Sequence, residues 1–279
     1  FEIARPLAEK LDVILVHGAE ITRSMPPGHL NALFIQNANL LEREDVLDAL
    51  GEARDQGAFI FWNHPGWEAQ QPDTMLWWDE HTRLLNSDLL HGIEVYNFKE
   101  YYPGAVDWAV DMNLSLLGNS DIHSPAGMTY DLRDNHRPLT LVFARSRSVE
   151  GLREALFSRR TAVWFDNTLV GAPSLLEPLF FASLSMDNQP LHLQNGITRV
   201  VSIQNNSDID FVLERVQPGI GFDAPQSVVL EAHRITPFEL SGNSDQVNTM
   251  NNLKVYYKVK NMEVDSDENL IVTFSFPNR

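Results

Sequence analysis

The chain has 279 residues, of which 43% are hydrophobic, and this is enough apolar material for one large core or for one medium and one small core. It contains no cysteine, which excludes disulfide scaffolds, thiolate metal sites and cysteine nucleophiles. The formal net charge of −17 disfavours nucleic acid or an anionic membrane as a partner of the bulk surface. No apolar run is long enough to predict a membrane span.

The first part of the chain alternates short apolar runs with helical patterns. The predicted strands are 13–16, 58–62, 92–95, 114–117, 139–143 and 162–165. The predicted helices are 42–56, 75–85, 102–112 and 148–158, with Ser148 as the N-cap of the last. This alternation is typical of βα units around a mostly parallel sheet.

The second part of the chain changes pattern. Apart from a short helical segment at 174–184, it alternates like antiparallel strands at 197–204, 211–216, 227–233, 253–259 and 270–276. We therefore predict two domains, residues 1–171 and 172–279, the second a small all-β sandwich-like domain. The localisation is left open, although the appended domain favours, by analogy alone, an exported or periplasmic protein.

Ionisable side chains follow the predicted strands at the points where they end. His64 follows the second strand, Asp121 and His123 follow the fourth, and Glu20 follows the first, while His29 precedes a further apolar run. Because strand ends meet on one face of an α/β fold, we expect these side chains to lie together. In an extended segment, residues two apart point to the same side, so Asp121 and His123 could face one cluster. Imidazole and carboxylate suit zinc, iron or manganese.

These motifs, taken in order, resemble a known family. Gly-Ala-Glu-Ile-Thr at 18–22, His-Leu-Asn-Ala-Leu at 29–33, Asn-His-Pro at 63–65, Gly-Ile-Glu-Val at 92–95 and Asn-Ser-Asp-Ile-His at 119–123 are similar to the motifs of PHP-domain (polymerase and histidinol phosphatase) phosphoesterases. The resemblance covers roughly residues 1–171. It implies a distorted (β/α)7 TIM-like barrel that binds up to three divalent metal ions, zinc, manganese or iron.

The resemblance also implies roles for individual residues. Glu20 would bridge two metal ions, His29 and His64 would complete one of them, and Asp121 and His123 would each serve one of the other two. The family's early His-x-His and Thr-Asp-His motifs are absent from this sequence. The barrel is therefore expected to lack its N-terminal units, either because the chain is truncated or because a natural site has degraded.

The predicted reaction is hydrolysis of a small phosphorylated substrate by a metal-activated water, with Glu20 at its centre. Charge on the phosphate oxygens would need a further donor. Arg23, three residues after Glu20, is the nearest candidate, and Arg145, after the strand at 139–143, is a second. A solvated surface arginine is the alternative interpretation of both.

Other residues and functions complete the expectations. Glu94 is left open between a packing role and support of the metal ligands. Six histidines are interpreted as structural: His17, His81, His91, His136, His192 and His233. Two other functions remain possible, a metal-dependent hydrolase of C–N or C–O bonds and a non-catalytic binding protein with a degraded site. The sequence leaves the oligomeric state open.

Overall fold

The computed structural model describes residues 1–133, 136–187 and 189–279. The chain divides into two compact units, Phe1–Asp166 and Asn167–Arg279, which we call the first and second units. The predicted boundary after Gly171 lies a few residues further along the chain. Within the described residues, no helix is long and apolar enough to cross a membrane.

The first unit contains helices and strands in alternation. Its helices are α1 (Arg5–Lys10), α2 (Val46–Asp55), α3 (Asp79–Asn86), α4 (Pro103–Asp111) and α5 (Val149–Phe157). Its strands are β1 (Gly18–Ile21), β2 (Leu30–Leu33), β3 (Phe59–Trp62), β4 (Gly92–Asn97), β5 (Glu100–Tyr101), β6 (Ser115–Asn119), β7 (Leu139–Val142) and β8 (Thr161–Phe165). Short 3-10 helices lie at Ala38–Leu41 and Ala126–Met128.

The main sheet of the first unit mixes parallel and antiparallel pairs. Strands β3, β4 and β6 are parallel, with β4 in the middle. β2 pairs with β3 and with β1 in antiparallel fashion, and the short β5 is antiparallel to β4. β7 and β8 pair in antiparallel fashion and are not part of this sheet. Among the described strands, β1 lies at one edge of this sheet and pairs only with β2, so the sheet does not close on itself. The predicted closed barrel is therefore not confirmed.

The prediction of a strand at residues 13–16 is wrong. Those residues belong to no strand, and β1 begins only at Gly18, which pairs with Leu33 at the end of β2. Phe34 then adopts a left-handed conformation with φ of 67° and donates its N–H to the carbonyl of His17. Because β2 ends at Leu33, residues 13–16 have no partner strand with which to form a ladder of backbone hydrogen bonds. Val13 is consequently 56% exposed.

Caps set the helix starts. The Asp45 side chain accepts hydrogen bonds from the N–H groups of Leu47 and Asp48, so α2 begins at Val46 rather than at the predicted residue 42. Ser148 accepts from the N–H of Gly151 and caps α5, which confirms the predicted N-cap. The apolar stripe of α2 is buried as its spacing predicts: Ala49, Leu50 and Ala53.

The second unit is rich in strands. It begins with β9 (Thr168–Gly171) and α6 (Pro173–Ala182), followed by β10 (Leu184–Met186), β11 (Thr198–Asn205), β12 (Phe211–Arg215), β13 (Phe222–Asp223), β14 (Ser227–Leu230), β15 (Ile235–Gly242), β16 (Asn252–Glu263) and β17 (Asn269–Pro277). One sheet has the order β10-β11-β15-β13, and β12, β14 and β17 belong to a second sheet around β16. Aromatic rings fill the core, among them Phe180, Phe211, Phe238, Tyr257 and Phe274.

Candidate metal centre

One edge of the main sheet gathers the polar side chains. The parallel strands β3, β4 and β6 all end at this edge. Because β2 runs antiparallel to β3, its first residue, Leu30, lies opposite Trp62, the last residue of β3, and opposite Ile21, the last residue of β1. We call this edge the rim. These strand directions explain why His29, which precedes β2, lies near residues at or after the ends of β1, β3 and β6.

The five predicted metal ligands line one cavity of about 260 Å³ at the rim. They are Glu20, His29, His64, Asp121 and His123. The other lining residues are Trp67, Asn97, Phe98 and Glu100. Side chains as far apart in sequence as Glu20 and His123 therefore line the same cavity, as the strand-end argument expects.

Glu20 and His29 are in direct contact. The Glu20 Oε1 atom lies 3.1 Å from His29 Nδ1 and accepts a hydrogen bond of 2.7 Å from the Thr22 hydroxyl. Its second oxygen accepts a longer bond, 3.5 Å, from the Asn63 amide. The Glu20 side chain is 34% exposed and that of His29 is 16% exposed. The pair is thus held in place while one side of the carboxylate faces the cavity.

His64 sits two residues after β3 in a left-handed conformation, with φ of 31°. Its ring meets that of His29 edge-on, with centroids 4.9 Å apart. Burial lowers the pKa of His64, and the neighbouring His29 lowers it further. In the part of the chain that the structure describes, its buried Nδ1 has no hydrogen-bond partner. A neutral imidazole with a free ring nitrogen is the form that binds a metal.

Glu94, on β4, is fully buried beneath His64. Its Oε2 atom accepts hydrogen bonds of 2.6 Å from the backbone N–H of His64 and of 2.8 Å from the Asn97 amide, and Oε1 accepts one of 2.7 Å from the Asn119 amide. Burial raises the pKa of Glu94 to about 7, although these three donors oppose the shift and Asp121 adds to it. The contacts favour support of the His64 loop over simple packing.

Asp121 and His123 follow β6 and contact each other. The Asp121 Oδ1 atom lies 3.4 Å from His123 Nε2, and the His123 ring is 90% exposed. The backbone is not extended here, since Asp121 has a φ of 46°. The expectation of an extended Asp-x-His segment is therefore wrong, although a turn brings the two side chains to the same cavity.

The donors have the right chemistry for divalent cations but do not form a complete coordination shell. Carboxylates, imidazoles and the unpaired Nδ1 of His64 suit zinc, manganese or iron. Within residues 1–133, 136–187 and 189–279, no three His, Asp or Glu side chains are close enough to hold one metal ion.

The two arginines predicted to contact substrate lie elsewhere. Arg23 donates Nη1 to the carbonyl of Thr22 and Nη2 to the carbonyl of Arg43, at 2.8 and 2.6 Å. The Arg145 side chain is 82% exposed and lies 4.0 Å from Glu154. Neither residue lines the cavity of the five ligands. The catalytic role of Arg23 stays a prediction.

Comparison with known structures identifies the family. A crystal structure from Bacteroides vulgatus, of a two-domain protein containing a predicted PHP-like metal-dependent phosphoesterase, is similar to this chain with 40% sequence identity and a TM-score of 0.91. The match covers 98% of this chain and 78% of that one. The chain belongs to this PHP-like two-domain family.

The second unit of the PHP-like chain matches a separate sequence family. The profile of a family described as an Ig-like domain covers residues 184–275. A Caenorhabditis elegans MSP family member, WR4, is 10% identical and covers 35% of this chain and 98% of its own, with a TM-score of 0.25. The PapD-like domain 7 of human CEP192 is 13% identical to this chain. The match covers 35% of this chain and 85% of that domain, with a TM-score of 0.22. These two scores support no argument. No curated protein matches the chain.

Sequence reasoning missed several residues around the PHP-like site, among them Asn97 and Glu100 on the cavity wall. Trp67 follows His64 by three residues and Phe98 follows the end of β4, and both line the cavity. Arg137 lines an adjacent polar cavity of about 350 Å³ together with Asp121 and Glu94. The strand-end rule could have found Phe98, but it was applied only to ionisable side chains. None of the six histidines interpreted as structural lines the 260 Å³ cavity.

Proposed function

We propose that the chain hydrolyses a phosphate ester of a small substrate, using a water activated by divalent metal ions. One observation carries the proposal: five donors of metal-binding type line a single cavity in a chain 40% identical to a protein containing a predicted PHP-like metal-dependent phosphoesterase. The cavity, about 260 Å³, is close in size to the sites that bind small molecules.

The residues of the site would have two roles, to bind the metal ions and to position the residues that bind them. The donors would be Glu20, His29, His64, Asp121 and His123. Divalent cations bound there would lower the pKa of a coordinated water and offset charge on the phosphate oxygens. Such cations would also supply the positive charge that a phosphate requires in a protein of net charge −17.

Glu94 acts on the site through the backbone. It accepts the N–H of His64 at 2.6 Å and so fixes the loop that carries this imidazole. The amides of Asn97 and Asn119 hold the Glu94 carboxylate in turn. Glu94 is therefore a positioning residue.

The test compares Glu20→Gln and His64→Ala with two control variants in the second unit, Glu231→Gln and His192→Asn. Metal content is measured by mass spectrometry, and phosphate release is measured on a panel of esters. We expect both site variants to lose metal and to lose at least about 100-fold in turnover, since metal-held charge stabilisation contributes several kcal/mol. Both controls should behave like the parent. Unchanged metal content in both site variants would end the proposal.

The same panel should include an amide and a lactone. The ligand types of this site also occur in hydrolases of C–N and C–O bonds, which differ in the substrate pocket. Faster turnover of the amide or lactone would replace the phosphoesterase with that alternative. Metal binding without turnover of any substrate would favour a binding protein.

A further inference from the structure

Two large aromatic side chains stand on the wall of the cavity without being buried. Trp67 is 39% exposed and Phe98 is 41% exposed, and both line the same cavity as the five candidate ligands. Single exposed apolar residues are common on protein surfaces, but two aromatic rings on the wall of one small polar cavity form a surface that a ligand can contact.

Trp67 is fixed relative to the candidate ligands. The backbone N–H of Trp67 donates to the backbone carbonyl of His64 at 3.0 Å, which closes a tight turn after β3. Its ring centroid lies 5.1 Å from that of His64 and 5.7 Å from that of His29. These are distances of direct aromatic contact. The indole therefore sits beside two imidazoles, and a group bound at those imidazoles would reach it.

Phe98 is held at the cavity in a costly conformation. Its φ of 55° is rare for a bulky residue and costs on the order of a 10-fold population penalty or more. Two hydrogen bonds enforce it, from the Phe98 N–H to the carbonyl of Asn119 at 3.0 Å and from the Tyr130 hydroxyl to the Phe98 carbonyl at 2.8 Å. The Lys99 ammonium lies 5.6 Å from the Phe98 ring centroid. The surrounding structure thus maintains an exposed ring where burial would be the ordinary outcome.

We propose that the leaving group of the substrate carries a planar ring that packs against Trp67 and Phe98, an inference that rests on the proposed phosphoesterase function. The oxygen of water would bond to phosphorus while the bond between phosphorus and the leaving oxygen breaks, and that oxygen would take up a proton from the water. The phosphate would lie among the candidate ligands, and the ring would lie on the aromatic wall. Lys99 adds positive charge beside Phe98 in an otherwise acidic protein.

The experiment measures binding as well as turnover, on the full chain with Mn²⁺ present. Calorimetry compares phenylphosphonate with methylphosphonate, which carry the same anionic head and differ in the ring. We expect the phenyl compound to bind about tenfold more tightly, as one ring-on-ring contact typically contributes. Phosphate release from phenyl phosphate and from glycerol phosphate is measured in parallel.

Four variants locate the effect. Trp67→Ala and Phe98→Leu should each reduce the affinity for phenylphosphonate several-fold more than the affinity for methylphosphonate. Trp67→Phe, which keeps a ring, should restore most of the preference, and this rescue would not occur if Trp67 only supported the imidazoles. Leu47→Ala removes a large side chain that is 54% exposed on α2, outside the cavity, and should change neither affinity.

The outcomes separate this inference from the proposed function. A phenyl preference below about twofold in the parent chain, or equal losses for both phosphonates in the variants, would overturn the aromatic wall as a ring site. If the preference holds and no ester releases phosphate, the ring site stands and the phosphoesterase proposal fails. If esters are hydrolysed without regard to a ring, the phosphoesterase stands and the inference fails.

Discussion

Two buried polar side chains, one in each unit, differ in how far their hydrogen-bonding capacity is used. In the second unit, Asn278 is 6% exposed. Its amide nitrogen lies 3.1–3.2 Å from the carbonyl oxygens of Leu193, Val247 and Met250, and its oxygen accepts the N–H of Leu193. In the first unit, the buried His64 Nδ1 and the buried Asn63 Oδ1 have no hydrogen-bond partner among the described residues.

This difference distinguishes polar groups that build the fold from those available to a ligand. A buried polar group normally has a hydrogen-bond partner, because an unsatisfied one costs about 1–3 kcal/mol. An asparagine whose whole capacity goes to backbone groups specifies a chain path. A histidine nitrogen left unpaired at the rim has capacity for something that binds there. The predictions below test this rule, first in the second unit and then at two positions of the first unit.

The largest effect is expected for Asn278→Ala. The substitution removes the partner of the Leu193 N–H and of the Leu193 and Met250 carbonyls, so we expect the free energy of unfolding to fall by about 3 kcal/mol. The exposed Asn252, which donates to the Ser275 hydroxyl at 2.6 Å, provides the control, and Asn252→Ala should cost less than about 1 kcal/mol. Urea unfolding of both variants measures the difference. Equal losses would show that the buried hydrogen bonds of Asn278 do not set its contribution to stability.

His81 tests whether a satisfied polar group in the first unit also serves the fold. It is fully buried, stacks on Trp62 with centroids 3.7 Å apart, accepts the N–H of Trp78 at Nδ1 and lies 2.8 Å from the carbonyl of Pro27 through Nε2. Burial lowers its pKa to about 4, although the Pro27 contact and Glu80 oppose the shift. His81 must therefore stay neutral in the folded chain.

The sign of the pH effect follows from this depressed pKa. The unfolded chain takes up a proton at His81 near its ordinary pKa, whereas the folded chain does so only near pH 4. The stabilising contribution is complete above pH 6.5 and is lost as the pH falls toward 4. Between pH 7 and pH 5 the loss is about 2 kcal/mol.

Denaturant unfolding at several pH values checks the His81 prediction. His81→Gln should remove this part of the pH slope whatever it does to stability at neutral pH. His192→Asn, at an exposed histidine of the second unit, should leave the slope unchanged. A parent-like slope in His81→Gln would show that His81 does not carry the effect.

Much of the fold could be predicted because it rests on local signals. The apolar stripe of α2, the Ser148 cap and the alternating strands of the second unit depend on residues close in sequence. The strand predicted at 13–16 failed because a strand also requires a partner, and the turn at Phe34 that removes the partner is a tertiary feature. Sheet closure is likewise a long-range property, which local periodicity does not encode.

The site shows the same division. The position of ionisable residues relative to strand ends placed five side chains on one cavity wall. The role of Glu94 could not be decided from sequence, because its three hydrogen-bond donors come from three separate segments. Trp67 and Phe98 were missed because the strand-end rule was applied only to ionisable side chains, and their partial exposure is a property of the folded chain.

Arg23 provides the smallest and most direct test of the rule, because it lies near the rim and has a predicted catalytic role. Its two terminal nitrogens are hydrogen-bonded to the carbonyls of Thr22 and Arg43. The criterion that separates Asn278 from His64 predicts that Arg23 serves the fold. We expect Arg23→Ala to lower the free energy of unfolding by about 1 kcal/mol and turnover by less than about threefold. Arg145→Ala, at an arginine that is 82% exposed, should change neither quantity measurably.

The opposite outcome for Arg23→Ala would be a loss of turnover of 100-fold or more with stability unchanged. It would assign the guanidinium to substrate. It would also show that hydrogen bonds to backbone carbonyls do not mark a structural residue at this rim.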